Sequence, residues 1–94
     1  MDKRATPSQI ESFLAHYPYW VLEEGRLHRV FKFEDFAEAF AFMTRVALVA
    51  ERQNHHPEWC NSYSQVAVNL TTHEAGGITE RDFQLARIMD RFAV

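Results

Sequence analysis

The sequence has 94 residues and a mass of 11.0 kDa, which allows one domain and excludes an enzyme that carries its own large cofactor-binding fold. Hydrophobic residues make up 47% and charged residues 24%, which is typical of a folded globular domain rather than a disordered chain. The formal net charge is −3 and no long basic run occurs, so direct binding of nucleic acid is not expected. We therefore interpret residues 1–94 as a single domain.

Cysteine usage and hydropathy predict the cellular setting. The single cysteine, Cys60, cannot form a disulfide within the chain, and the first ten residues lack the apolar stretch of a secretory signal. No apolar segment approaches the roughly 20 residues that a membrane-spanning helix needs. These features predict a soluble, cytoplasmic protein with no membrane partner.

The first part of the chain is predicted to form a short helix followed by a β-hairpin. A capping-box sequence begins at Thr6, and Pro18 disfavours helical angles in the residue before it, so the helix should end near His16. Two segments with strand character, Trp20–Glu23 and Leu27–Phe33, flank a short turn that contains a glycine. This arrangement is typical of a hairpin.

The second part is predicted to form a long helix, another hairpin and a final helix. Residues 34 to about 52 contain no Gly or Pro and carry apolar side chains at helical spacing, and Pro57 must end that helix. Strands are expected at Trp59–Asn61 and Gln65–Thr72, the second with alternating apolar and polar residues. Thr79, with an acidic residue three positions later, caps the final helix.

The predicted elements follow the order α-β-β-α-β-β-α. No internal repeat or linker interrupts this order. Two hairpins with helices between and around them favour an α+β fold, in which a four-stranded antiparallel sheet is covered by helices on one face.

Three histidines lie close to predicted element ends, where functional groups are often displayed. His55 and His56 follow the long helix, and His73 follows the last strand. Consecutive side chains in extended backbone point to opposite sides, so His55 and His56 should not do the same job. A purely structural interpretation stays open, with the first two as a polar helix stop and His73 as a surface residue. The other two histidines, His16 and His28, are interpreted as structural.

Two other kinds of chemistry are weaker candidates. Metal-ligand residue types do cluster here, but there are no paired cysteines and no His-x-x-x-His on a helix face, so a metal site is not favoured. Cys60 lacks a defined base that would activate it as a nucleophile. Imidazoles titrate near neutral pH, so three of them indicate proton transfer and leave the substrate open.

An ordered set of motifs resembles the pterin-4a-carbinolamine dehydratase family. The motifs extend from Trp20 and the Phe33-x-x-Phe36 pair through nearly the whole chain. They comprise Glu51 followed after three residues by His55-His56-Pro57, then Trp59, Tyr63, Thr71-Thr72-His73-Glu74, and the segment Gly77 to Asp82. Each piece is weak alone, but the set is specific, and no motif position departs from the pattern.

This resemblance implies the family's small α+β fold and loss of water from a 4a-hydroxytetrahydropterin. That reaction recycles the pterin cofactor of aromatic amino acid hydroxylases. The resemblance carries over His55 and His73 as an acid and base pair and His56 as a residue that orients substrate. It also implies substrate-binding roles for four further residues: Trp20 by stacking on the pterin ring, Asp82 by polarising a histidine or binding pterin, and Glu51 and Pro57.

The resemblance also implies which partners to expect. Neither a metal nor an organic cofactor is implied, because water elimination needs only proton transfers. Family members form homodimers or homotetramers, and a small core with exposed edge strands is compatible with association. Some animal relatives are dimerisation partners of a homeodomain transcription factor. A non-catalytic dimerisation or transcriptional coactivator module is therefore the alternative function.

Overall fold

A computed structural model describes residues 2–94, and their helices and strands follow the predicted order. Three helices and four strands are present, with one 3-10 turn before the last helix. The elements are α1 (Pro7–His16), β1 (Val21–Glu23), β2 (Arg26–Lys32), α2 (Phe36–Gln53), β3 (Glu58–Ser62), β4 (Gln65–Leu70), the 3-10 turn (His73–Ala75) and α3 (Glu80–Phe92).

The four strands form one antiparallel sheet in the order β1-β2-β4-β3. Both predicted hairpins are confirmed, and β2 and β4 pair at the centre of the sheet from Leu27 opposite Leu70 to Lys32 opposite Gln65. In the first hairpin, Glu24 and Gly25 have φ of 52° and 77°, as a two-residue type I′ turn requires. The sequence predicted the glycine of this turn correctly.

Element ends differ from the predictions by a few residues. Helix α2 begins at Phe36 because Asp35, in extended backbone, caps it by accepting from the Glu38 N–H. Strand β4 ends at Leu70, and Thr72 forms an isolated bridge with Gly77 around the 3-10 turn, which the sequence did not predict. The segment before the last helix is therefore a tight, backbone-bonded corner rather than an open loop.

The helices cover one face of the sheet, as predicted. Alternate residues on the two central strands are buried there, and they pack against apolar residues of all three helices. The opposite face carries the intervening residues, which include the exposed Val30, Lys32 and Cys60. The buried sheet residues are Leu27, Phe31, Val66, Val68 and Leu70. No helix within residues 2–94 is both long enough and apolar enough to cross a membrane.

Candidate active site

The first turn of α3 holds a fully buried carboxylate. Thr79 is the N-cap, as the sequence predicted, and its backbone N–H donates to Oδ2 of Asp82 at 2.9 Å, which closes a capping box. The same oxygen accepts from the Thr72 hydroxyl at 2.8 Å, and the two threonine hydroxyls lie 2.8 Å apart. Asp82 is therefore fixed by groups from both ends of the corner that joins β4 to α3.

His55 is bound to the other oxygen of that carboxylate. Its Nε2 lies 2.6 Å from Oδ1 of Asp82, and its side chain is only 6% exposed. The chain reaches this position because Asn54 ends α2 in the left-handed conformation, with φ of 53°. Arg81 then donates to the carbonyls of Gln53 and Asn54 at 2.9 and 2.8 Å. Arg81 and Asp82 are consecutive residues of α3. The first thus holds the backbone at the end of α2, and the second holds the ring of His55.

The hydrogen bonds of Asp82 define which nitrogen of His55 carries the proton. An ionised carboxylate only accepts hydrogen bonds, so toward the Asp82 carboxylate the ring donates Nε2–H and leaves Nδ1 unprotonated when the imidazole is neutral. Nδ1 has no hydrogen-bond partner among residues 2–94, where no buried side-chain polar atom is left unpaired. Nδ1 therefore reaches the surface.

His56 points away from its neighbour, as extended backbone predicts. It is exposed, and its Nε2 lies 3.0 Å from Oε1 of Glu51, an exposed residue in the last turns of α2. Pro57, half-buried, separates this pair from the start of β3. The two neighbouring histidines thus have different partners and different solvent exposure.

His73 is the first residue of the 3-10 turn and also faces a carboxylate. Its Nε2 lies 3.1 Å from Oε2 of Glu58, the first residue of β3, while Oε1 of Glu58 accepts from Arg26 at 2.9 Å. The hydrogen bond from Arg26 holds the pKa of Glu58 below its ordinary value, and the contact with His73 lowers it further against an opposing effect of burial. Glu58 is therefore ionised at neutral pH.

The three histidines share one arrangement. In each, Nε2 contacts a carboxylate of its own, so the proton is held on that nitrogen and Nδ1 is available for other partners. Thr72 links two of the pairs, because it bonds to Asp82 and immediately precedes His73. Within residues 2–94, no three side chains of the metal-binding types come together as a potential ligand set.

Trp20 is not part of this group. Its indole is 1% exposed, packs edge-on against Phe31, and donates Nε1–H to Asp90 at 2.8 Å. Asp90 lies eight residues beyond Asp82 on α3, roughly 12 Å along the helix axis. The predicted stacking role has no support in this position, because the ring is covered by the core.

Three residues near the histidines were not among the site residues that we predicted from the sequence. The burial of Thr72 could have been predicted from the sequence, because Thr72 continues the alternation of buried residues that includes Val68 and Leu70. Arg81 and Glu58 act through contacts between segments far apart in the chain, 27 and 32 residues for their main partners. Local sequence patterns do not predict contacts between segments so far apart in the chain.

Comparison with known proteins agrees with this fold. The fold is a small α+β domain in which three histidines each contact a carboxylate. The family model described as pterin 4 alpha carbinolamine dehydratase matches residues 3–92. The chain therefore belongs to the pterin-4-alpha-carbinolamine dehydratase family.

Individual relatives match over nearly their whole length. A protein of Solibacter usitatus is 50% identical over 99% of this chain and 98% of its own, and one of Rhodopseudomonas palustris is 53% identical over 99% and 94%. Both are named provisionally as pterin-4-alpha-carbinolamine dehydratases. A crystal structure of a transcriptional coactivator/pterin dehydratase from Brucella melitensis superposes with a TM-score of 0.94 at 44% identity, covering 98% of this chain and 100% of that one.

Proposed function

We propose that this protein is a dehydratase that removes water from a 4a-hydroxytetrahydropterin and yields the quinonoid dihydropterin. The observation that carries the proposal is the set of three histidines, each with Nε2 held by a carboxylate, in a chain of this family. Family membership supplies the substrate class. The histidine arrangement supplies groups able to give and take protons near neutral pH.

The reaction needs one proton donor and one proton acceptor. The N5 lone pair forms the N5=C4a double bond as the C4a–O bond breaks, and a proton from a histidinium lets the hydroxyl leave as water. A neutral histidine then takes the proton from N5, so the two proton transfers balance. We assign these two roles to the pair His55 and His73, whose Nδ1 atoms are not used by their carboxylates.

The remaining site residues orient the substrate or the histidines. Asp82 fixes the ring of His55, and the exposed His56 with its partner Glu51 binds substrate, with Pro57 holding the backbone between the two sides of the site. Trp20 is left out of this proposal because its ring is buried. The reaction as proposed uses neither a metal nor an organic cofactor.

The activity is tested by a dehydration assay with purified protein. The 4a-hydroxy compound is generated by an aromatic amino acid hydroxylase, and its conversion is followed spectroscopically against the uncatalysed rate. The expected result is acceleration that scales with protein concentration. Absence of any acceleration by folded protein would contradict the proposal. Acceleration of the hydroxylase cycle under limiting pterin would support a recycling role.

A binding function is the second candidate, because the Brucella melitensis protein is described as both a transcriptional coactivator and a pterin dehydratase. A pure binding module would fold normally and fail the turnover assay. The two functions are therefore separated by the same experiment.

We also propose that the chain forms a homodimer or homotetramer. The strands β1 and β3 are the free edges of the sheet, and α2 exposes large apolar side chains. These are Phe36, Phe40 and Leu48, each more than half exposed. Sedimentation equilibrium would give the stoichiometry, and a Phe40→Glu variant should reduce it if α2 forms an interface. A monomer at micromolar concentration would overturn the proposal.

A further inference from the structure

The Arg26, Glu58 and His73 side chains form a continuous chain of polar contacts. Arg26 donates to one oxygen of Glu58 at 2.9 Å, and Nε2 of His73 lies 3.1 Å from the other oxygen. Arg26 also contacts Glu24 at 3.3 Å, which closes the far end of the chain. Both oxygens of Glu58 are thereby used, one by each partner.

The sheet order explains how these residues meet. Arg26 begins β2 and Glu58 begins β3, and both strands pair with β4 between them. Glu58, Asn69 and His28 are paired in one row, and Arg26 lies two residues before His28, so all four belong to the open face. The guanidinium and the carboxylate thus bridge β4 near its end, where the chain turns into His73.

His73 has no other restraint of this kind. Its side chain is 74% exposed, and within residues 2–94 its ring nitrogens form a hydrogen bond only with Glu58. A side chain in water rotates freely unless a bond holds it. The direction in which Nδ1 points therefore depends on Glu58.

We propose that Glu58, anchored by Arg26, is a positioning residue that holds the proton of His73 on Nε2 and directs Nδ1 toward the substrate. The inference rests on the proposed function for the catalytic role of His73, but the positioning itself does not depend on substrate. Ionisation of Glu58 is secured because Arg26 keeps the pKa of that carboxyl low. An ionised carboxylate can only accept, so His73 must be the donor.

A purely structural role for Glu58 would have different measurable effects. Exposed ion pairs add little to folding stability, so loss of Glu58 should hardly change the unfolding transition. A positioning role should instead change the ring of His73 and the turnover number. These two readouts distinguish the interpretations.

The test compares Glu58→Ala, Glu58→Gln and Glu24→Ala by nitrogen-15 NMR of the histidine rings, at a pH where the rings are neutral. Glu24→Ala is the matched control, because it removes a carboxylate from Arg26 and leaves the bond between Glu58 and His73 intact. In Glu58→Ala we expect a larger share of the Nδ1–H form of His73 and a lower order parameter for its ring. Glu58→Gln, whose amide oxygen still accepts, should retain more of the native signal.

Turnover is measured on the same variants. We expect kcat of Glu58→Ala to fall about 5-fold with KM nearly unchanged, as loss of one orienting hydrogen bond implies. An unchanged tautomer and ring order in Glu58→Ala would overturn the inference even if the enzyme is active. If the ring signals change but the native protein has no dehydratase activity, the proposed function fails and the positioning of His73 by Glu58 stands.

Discussion

At the scale of single residues, burial separates the three histidine pairs. His55 and Asp82 are held inside the domain by their own hydrogen bond and by two further donors to Asp82, the Thr72 hydroxyl and the Thr79 N–H, whereas His56 and His73 lie in solvent with glutamate partners. A buried pair keeps a fixed geometry at the cost of access, while an exposed pair is reachable but less ordered. Substitutions should therefore have different consequences in each pair.

Replacing His55 or His73 with Ala should lower the dehydration rate by roughly 100-fold or more, the range of a positioned acid or base. The measurement is kcat/KM for each purified variant, with circular dichroism to check that each is folded. This check matters for His55→Ala, which leaves the buried Asp82 without one of its donors. Near-normal rates in both folded variants would show that the assigned roles are wrong.

Replacing His56 with Ala should raise KM more than it lowers kcat, whereas His73→Ala should mainly lower kcat. His56 diverges from His55, so only one of the two can readily face the bond that breaks. A group that binds ground state and transition state equally affects KM. Steady-state kinetics decide the matter when substrate dissociates faster than it reacts. If His56→Ala loses kcat as severely as His73→Ala with KM unchanged, His56 is the proton-transfer residue.

Replacing Arg26 with Gln should raise the pKa of Glu58 toward its ordinary value of 4.5, because the Arg26 hydrogen bond is the largest cause of its lowering. A carboxyl with a lowered folded pKa stabilises the protein above its unfolded pKa, and this contribution disappears as pH falls through the folded pKa. The contribution is small because Glu58 is partly exposed. A carbon-13 titration of the Glu58 carboxyl measures the shift, and identical titration curves in both proteins would contradict it.

At the scale of elements, the corner between β4 and α3 is the part that the sequence predicted least completely. The cap at Thr79 and the acidic residue at 82 follow from local capping chemistry, and the alternation of β4 leads to a buried Thr72. The 3-10 turn and the bond from Asp82 to His55 depend on how distant segments pack, which single-sequence periodicity cannot reveal. The fold was therefore predictable from local patterns, while the partners of the histidines were not.

Replacing Thr79 with Ala should destabilise the domain by about 1–2 kcal/mol and also lower kcat, because it removes a helix cap and a partner of Thr72. Thr6→Ala is the matched control. Thr6 caps α1 with the same capping box but has no contact with the histidines, so only stability should fall. Urea unfolding and steady-state kinetics on both variants test this. Equal effects on kcat would show that Thr79 acts through stability alone.

At the scale of the whole molecule, the two faces of the sheet carry different groups of residues. The helix-covered face supplies the core, and the open face carries the polar chain that ends at His73. The element order and the one-sided helices were predicted from hydrophobic alternation and helical spacing. The strand order, with β4 inserted between β2 and β3, is what brings residues of both hairpins together.

Exhaustive chelation should leave dehydratase activity intact, since proton transfer between histidines and substrate needs no metal ion. The measurement is turnover of protein treated with a chelator and then dialysed, beside untreated protein. Zinc added back serves as the control. Activity that disappears with the chelator and returns with zinc would mean that a metal takes part.

Arg81 donates hydrogen bonds to the last carbonyls of α2 and so ties the end of that helix to α3. The backbone N–H of His55 donates to Ala50 at 3.0 Å and its ring is bound to α3, so this end of α2 cannot open without undocking the final helix. Segments tied to the core in this way open only at a free energy close to that of global unfolding, while exposed turns open at little cost. The backbone around His73 is also hydrogen-bonded, but the His73 side chain itself is exposed and is held by Glu58. The ring of one histidine thus belongs to the rigid body of the domain, whereas the ring of the other can turn toward what it binds once its bond to Glu58 is released.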